Sequence, residues 1–318
     1  MALFKTIGRR PELGALISLM IVSAVFTVLS GGKFATLANV EALLASGAEL
    51  GIVTIGMAFV LICGEIDLSV GSVFGLSGLL FVLLADEMGT VPAFVIALVV
   101  AALAGMLNGI CTTKTLVSSL IVTLGMSMFL RGIIYFTTGG FTRAFNNIDV
   151  VINALGGRLV GGLFISIIWF VLIAAVATVV LRLTRYGNYV SAVGGNKEVA
   201  RALGISVDRV RLTTFVVCSS LAGLAGAISA SRFHSVAATT GATTALEAIA
   251  AAVMGGCLVT GGYGTVPGAV LGAILIPAVG SGLVLSGAPA YWYQAFIGIV
   301  LVGAAILNLV VVRKAISQ

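Results

Sequence analysis

Nearly every stretch of this sequence long enough to form a helix is also too apolar to face water. From about residue 14 onwards, apolar runs of about 20 residues follow one another, separated by short polar or glycine-rich turns. Runs of that length match the hydrocarbon core of a bilayer at about 1.5 Å of rise per residue. In hydrocarbon the backbone must satisfy its own hydrogen bonds, and an unbroken apolar run does so as a helix. Composition agrees, since 60% of residues are hydrophobic and 9% charged, against about 25% charged in soluble domains. The expected fold is all-α, a polytopic transmembrane helical bundle of about ten spans forming a single domain over residues 1–318.

The spans fall at about 14–30, 42–63, 71–85, 91–111, 117–137, 161–181, 211–230, 245–259, 266–286 and 291–312. Residues 138–160, with Asn146, Asn147 and Asp149, read as the longest non-helical connection. Ten crossings put both termini on one side. Lys5, Arg9, Arg10, Lys114, six basic residues of 182–211, Arg313 and Lys314 then share that side. Lys33, Arg131, Arg143, Arg158 and Arg232 fall on the other. The positive-inside rule makes the richer side cytoplasmic. The net charge of +6 thus reports topology, and no nucleic-acid partner is expected.

The stretch Arg182–Arg211 holds six of the seventeen Lys and Arg residues and must lie in water. Its centre reads as one short helix. Asn196 is an N-cap after a flexible Gly194-Gly195 pair, Lys197 to Leu203 are mostly helix formers, and Gly204 is a C′ stop. So short a helix is marginal alone. Val199 and Leu203, one turn apart, suit docking into a cytoplasmic partner; an ordinary solvated loop helix is the alternative.

A repeat appears at an offset of 197 residues. Residues 57–75 align without gaps on 254–272, with Met57/Met254, Leu61/Leu258, Gly64/Gly261, Gly71/Gly268, Val73/Val270 and Gly75/Gly272 identical. Each copy is a span, a glycine-rich turn and a span. The expectation is two halves, roughly 40–137 and 211–312, related by an axis along the membrane normal.

No catalytic constellation is present. The single histidine, His234, excludes a histidine-based metal site and reads as an interfacial residue beside Arg232. The glycine–lysine pair at 32–33 lacks the spacing of a phosphate-binding loop. Cys63, Cys111, Cys218 and Cys257 show no metal spacing and read as small buried residues. Glu65 and Asp67, between two apolar runs, either line an internal cavity or cap the start of the third span, with Asp67 or Ser69 as N-cap. Glu247 opens the eighth span similarly. Asn108, Ser118, Ser119 and Thr123 are polar groups near or within spans four and five, suited to sugar hydroxyls or to bonds between helices. Gly47, Gly51, Gly56, Gly223 and Gly226 permit close helix packing.

Four segments, GEIDLSVGSV at 64–73, TLGMSMFLRG at 123–132, RYGNYVSAVGGNKEVARALGI at 185–205 and LEAIAAAVMGGCLVTGGYGTVPGAVLGA at 246–273, resemble the membrane subunit of ribose-type bacterial ABC sugar importers. The resemblance extends over about residues 40–310. It implies a multi-pass permease of the bacterial inner membrane, not itself an enzyme. Such a permease is a dimer, identical or mixed, coupled to a cytoplasmic ABC ATP-binding subunit that uses ATP and Mg2+. A periplasmic sugar-binding protein would deliver the cargo, a pentose or similar small sugar or polyol. The resemblance also implies that Gly195, Asn196, Glu198, Val199, Arg201, Leu203 and Gly204 contact the ATPase. The polar groups Asp67, Ser69, Asn108, Ser118, Ser119 and Thr123 are the candidates for the pathway or its gate. The chain differs from the family pattern at Val117-Ser118-Ser119-Leu120, where Pro and Phe are common, at Asn188, often Arg, and at Val199-Ala200, often two alanines. Related permeases carry nucleosides or branched-chain amino acids. An ion-coupled transporter or channel is the alternative of a different class, with Glu65 and Asp67 as its candidate ion-binding carboxylates.

Overall fold

The computed structural model describes residues 11–115, 117–146, 148–159 and 161–316. Lys5, Arg9, Arg10 and Asn147, which entered the topology argument, lie outside the described residues. The described chain is almost entirely helical: α1 Pro11–Leu29, α2 Leu37–Ile62, α3 Val70–Met88, α4 Thr90–Lys114, α5 Ser119–Thr138, α6 Val150–Gly156, α7 Ser166–Leu183, α8 Arg185–Gly195, α9 Lys197–Ala202, α10 Val207–Phe233, α11 Thr244–Met254, α12 Val266–Leu285 and α13 Trp292–Ile316. Among the described residues, eight helices are long and apolar enough to cross a membrane, and Thr244–Met254 and Trp292–Gly303 are shorter apolar stretches.

Helix α2 is the axis of the bundle, with 94% of its apolar window buried. It packs against α10, α12, α7 and α11, and α10 in turn packs against α4 and α3. Small residues set the spacing. A Cβ on Gly226 of α10 would sit 2.0 Å from the Phe74 carbonyl of α3, and one on Gly56 of α2 would sit 2.8 Å from Cys218 Cα of α10. Either side chain would force the helices apart, so these glycines work as expected from their spacing.

Contacts between loops identify two ends. At one, Glu12 pairs with Arg182 at 2.8 Å and Glu65 pairs with both Lys197 and Arg211. At the other, Thr90 donates to Asp149 and Asn146 donates to Asp86. Glu41 and Arg158 pair at 3.7 Å by the start of α2.

Four local expectations need correction. Residues 138–160 are not wholly non-helical. Asp149 accepts from the Val151 and Ile152 amides and starts α6, and Arg143–Ala144 pairs antiparallel with Ser235–Val236. Burial works against the charge on Asp149, but the Thr90 hydroxyl and those amides outweigh it and hold the carboxyl below its usual range. The basic loop carries two helices, because Thr184 caps α8 with a bond from Gly187 N. The eighth span is shorter than expected, ending at Met254 rather than about 259. Residues 237–243 form an irregular segment, and only Thr244–Met254 is helical. Finally, Arg131 and Arg232 are not charges of the outer surface. Arg131 bonds the carbonyls of Ala238 and Thr240, and Arg232 pairs with Glu49 inside the bundle.

The two turns of the sequence repeat lie against each other. Gly64 and Gly261 both have positive φ, and a Cβ on Gly261 would meet Gly64 Cα at 2.7 Å. Their surroundings then diverge. Gly268 abuts Gly255 of the preceding segment, whereas Gly71 abuts Gly241.

Candidate functional site

Helix α9 starts where the sequence says it should. Asn196 Oδ1 accepts from Glu198 N at 3.0 Å and Val199 N at 3.1 Å, and Gly204 stops the helix with φ of 81°. Ala200, 1% exposed, is its inner anchor, while Val199 is 55% and Leu203 73% exposed. Gly195, Asn196, Glu198, Arg201 and Gly204 are exposed too, with Arg201 donating to Glu198 at 3.1 Å. The seven residues therefore form one outward edge. An exposed i,i+3 ion pair contributes only tenths of a kcal/mol. The edge is held from beneath instead.

Two contacts below α9 do the holding. The first is steric. A Cβ on Gly194 would sit 1.8 Å from the Ile62 carbonyl and 2.7 Å from Gly262 N, which itself donates to Ile62 O at 2.8 Å. Gly194 is thus no flexible spacer, since the end of α2 and the 255–265 turn close directly on its backbone. The second is electrostatic. Glu65 Oε1, nearly buried, accepts from Lys197 Nζ and from Arg211 Nε, both at 2.7 Å. Arg211 also reaches the Thr112 carbonyl of α4 at 3.3 Å. Burial opposes charge on Glu65, but bonds from Lys197 and Ser119 and the Arg211 charge outweigh it and hold the carboxyl below its usual range. Glu65 is thus engaged by two basic side chains from distant elements. It is the joint between α9, α10 and the turn entering α3.

That turn is threaded into the bundle. Ser119 Oγ accepts from Ile66 N at 3.2 Å and Thr123 Oγ1 from Leu68 N at 3.0 Å. Asp67 Oδ1 accepts from Ser69 N at 2.9 Å and from Ser69 Oγ at 2.6 Å, and Asn108 Nδ2 donates to Ser69 Oγ at 2.8 Å. Asp67 therefore organises the first turn of α3, with Ser69 at the N-cap position. Asn108 lies about 9 Å of helix short of Lys114, so the turn reaches well inside the bundle. Asp67, Ser69, Asn108, Ser119 and Thr123 are brought together and buried, while Ser118 is exposed and stands apart. Ser119, Thr123 and the Asn108–Ser69 pair bond between elements, whereas the bonds of Asp67 stay within its own turn. Asp67 Oδ2 and Asn108 Oδ1 have no hydrogen-bond partner among the described residues.

Two charged residues inside the bundle add to this picture. Glu49, near the middle of α2, is buried against Arg232, which reaches Glu49 Oε2 at 3.2 Å and Ser46 Oγ at 3.4 Å. Its signal in the sequence is an acid within an apolar run. His234 ends α10 with φ of 54° and is exposed. Among the described residues no group of three His, Cys, Asp or Glu side chains could hold a metal ion.

The described residues form a bundle of helices long and apolar enough to cross a membrane, with one short exposed helix tied to its interior through Glu65, and sequence comparison places the chain among transport proteins. Residues 39–305 match the model of the family described as the branched-chain amino acid transport system, permease component, and the chain belongs to that family. It is 31% identical over 297 residues to the xylose/arabinose import permease protein of Sulfolobus acidocaldarius, covering 91% of this chain and 82% of that protein. It is 33% identical over 304 residues to the ribose import permease protein of Escherichia coli, covering 93% and 92%. The autoinducer 2 import system permease protein of an Enterobacter species is 32% identical over 310 residues, covering 96% and 88%. No solved structure matches the chain.

Proposed function

We propose that this chain is the membrane permease of an ATP-driven importer for a monosaccharide, a pentose or a related small sugar or polyol. Two permease subunits rock between inward- and outward-open forms. A separate ATP-binding subunit, which binds ATP and Mg2+, docks on α9 from the cytoplasm, and an external sugar-binding protein supplies the cargo. The chain binds no nucleotide itself, and both termini lie in the cytoplasm. One observation carries the coupling: an exposed apolar edge at Val199 and Leu203 on a helix joined through Lys197, Glu65 and Arg211 to three other elements. Likeness to permeases named for ribose and for xylose and arabinose supports the cargo class.

The test is uptake into vesicles holding the permease and its ATP-binding subunit, with the binding protein outside. ATP-dependent entry of ribose, xylose or arabinose is expected. Uptake driven by an ion gradient without the ATPase would replace this reading with a secondary transporter, and selective uptake of nucleosides or branched-chain amino acids would change the cargo.

Orientation has its own test. Single cysteines replacing Asn196 and Asn146, both exposed, in a background freed of native cysteines should react with an impermeant thiol reagent from opposite sides. Reaction of both from outside would overturn the cytoplasmic position of α9.

A further inference from the structure

The irregular segment Ala237–Thr243 lies at a depth where backbone of this kind needs a reason. It runs down one face of α3. Val236 Cγ2 comes within 3.2 Å of where a Cβ on Gly78 would sit, the Thr240 carbonyl within 2.5 Å at Gly75 and the Gly241 carbonyl within 2.3 Å at Gly71. Gly78 is already about 15 Å of helix from Met88, so the segment occupies the interior half of the span. At Gly71 it meets the first turn of α3, the end of the Glu65–Ser69 turn that threads in from the opposite end. Two broken elements, one from each side, thus cross at a pair of glycines.

Non-helical backbone at membrane depth survives only where it is buried in protein or lines a water-filled cavity. Part of this segment is not buried within the chain, since Thr239 and Ala242 are exposed and Thr240, Thr243 and Thr244 are half-exposed. Arg131 stands beside it. Its Nη1 donates to Ala238 O at 3.2 Å and Thr240 O at 2.8 Å, so a cation from α5 sets the shape of the strip. A cation inside a span is costly unless it faces polar groups or water. The result is a polar strip at mid-depth, in which Thr240 Oγ1 accepts from Ala237 N and Thr243 donates to Glu247, and Thr239 carries an exposed hydroxyl.

We infer that the segment from Ala237 to Thr244 is the polar wall of the translocation pathway, contacting hydroxyl-rich cargo, with Arg131 as its positioning residue; the cargo class rests on the permease reading above. The strip has donors and acceptors of the kind that a sugar needs in place of water. The pathway thereby runs beside the exposed strip.

The test separates this inference from the permease reading. Thr239→Cys, Ala242→Cys and, as a lipid-facing control, Val171→Cys are made with Cys63, Cys111, Cys218 and Cys257 replaced by Ser or Ala. A thiol reacts as the hydrated thiolate. An impermeant methanethiosulfonate should therefore modify positions 239 and 242 at least about tenfold faster than 171, and modification should block uptake. Labelling at 239 and 242 no faster than at 171, in vesicles that still import sugar with ATP, overturns the inference alone. Both carbonyls bond one nitrogen of Arg131, so Arg131→Lys should keep uptake where Arg131→Met loses it. Equal loss in both, with labelling of 239 and 242 unchanged, removes the positioning role.

Discussion

Replacing Val199 and Leu203 together by Asp is expected to lower ATP-driven uptake by about a hundredfold or more, with insertion and dimerisation intact. The two side chains point away from the chain that carries them, and the inner contact of α9 is Ala200. The substitutions therefore leave the permease's own packing alone. If a groove of the ATP-binding subunit receives the edge, each Asp is desolvated without a partner. An unpaired buried charge costs about 3–5 kcal/mol, and about 3 kcal/mol already exceeds a hundredfold in affinity. Co-purification of the ATP-binding subunit should fail in parallel. Glu65→Ala forms the second arm. It removes the common acceptor of Lys197 and Arg211 but leaves the outer edge in place. The ATP-binding subunit should then still co-purify while uptake falls, because α9 no longer pulls on α10 and the turn into α3. Normal uptake by the double-Asp variant would make α9 a connector. Normal uptake by the Glu65 variant would place transmission elsewhere.

Asn196→Pro is a poorer probe of the same helix. Asn196 N also donates to Ala192 O at 3.1 Å, so proline would damage the end of α8 as well as the cap of α9.

How much of this was legible depends on whether a signal is local. The apolar runs gave the all-α membrane class and most span limits, because hydrophobic length answers directly to bilayer thickness. The cap at Asn196 and the stop at Gly204 were legible for the same reason, each rule acting within one turn. Helix α8 was not, since Gly187, Asn188 and a closing glycine pair are poor helix formers. Two of its glycines are there because neighbours leave no space, with a Cβ on Gly187 falling 2.1 Å from the Leu181 carbonyl and one on Gly194 falling 1.8 Å from the Ile62 carbonyl. The helix α11 reads as running to about residue 259 because Cys257, Leu258 and Val259 are apolar, whereas Gly255 and Gly256 end it after Met254. Glu65 illustrates the limit most clearly. Its type and place marked it as unusual, but its partners lie over 130 positions away, and nothing local to residues 64–71 names Lys197 or Arg211. Long-range pairing also hid Glu49, whose partner Arg232 had been counted as a surface charge.

That buried pair gives the largest expected effect on stability. Glu49 and Arg232 have side chains 8% and 9% exposed, and the guanidinium lies 4.2 Å from the Phe233 ring centroid and 5.5 Å from that of Phe164. Glu49→Ala leaves the arginine inside the bundle with only Ser46 and two aromatic faces. Breaking a buried pair from one side costs about 3–5 kcal/mol. With unfolding entropy near 2.1 cal/mol/K per residue, a chain of 318 residues should melt about 5–8 °C lower. Arg232→Met should cost a similar amount by stranding Glu49. The double variant Glu49→Leu with Arg232→Met removes both charges and keeps most of the volume, so it should melt close to the parent, since apolar replacement of a buried pair is often neutral or stabilising. Melting of the detergent-purified chain decides the matter. Single variants that melt with the parent would mean that water or lipid headgroups reach the pair. A double variant as unstable as the sum of the singles would mean that the pair holds α2 and α10 in register through its hydrogen-bond geometry, a role that apolar volume cannot replace.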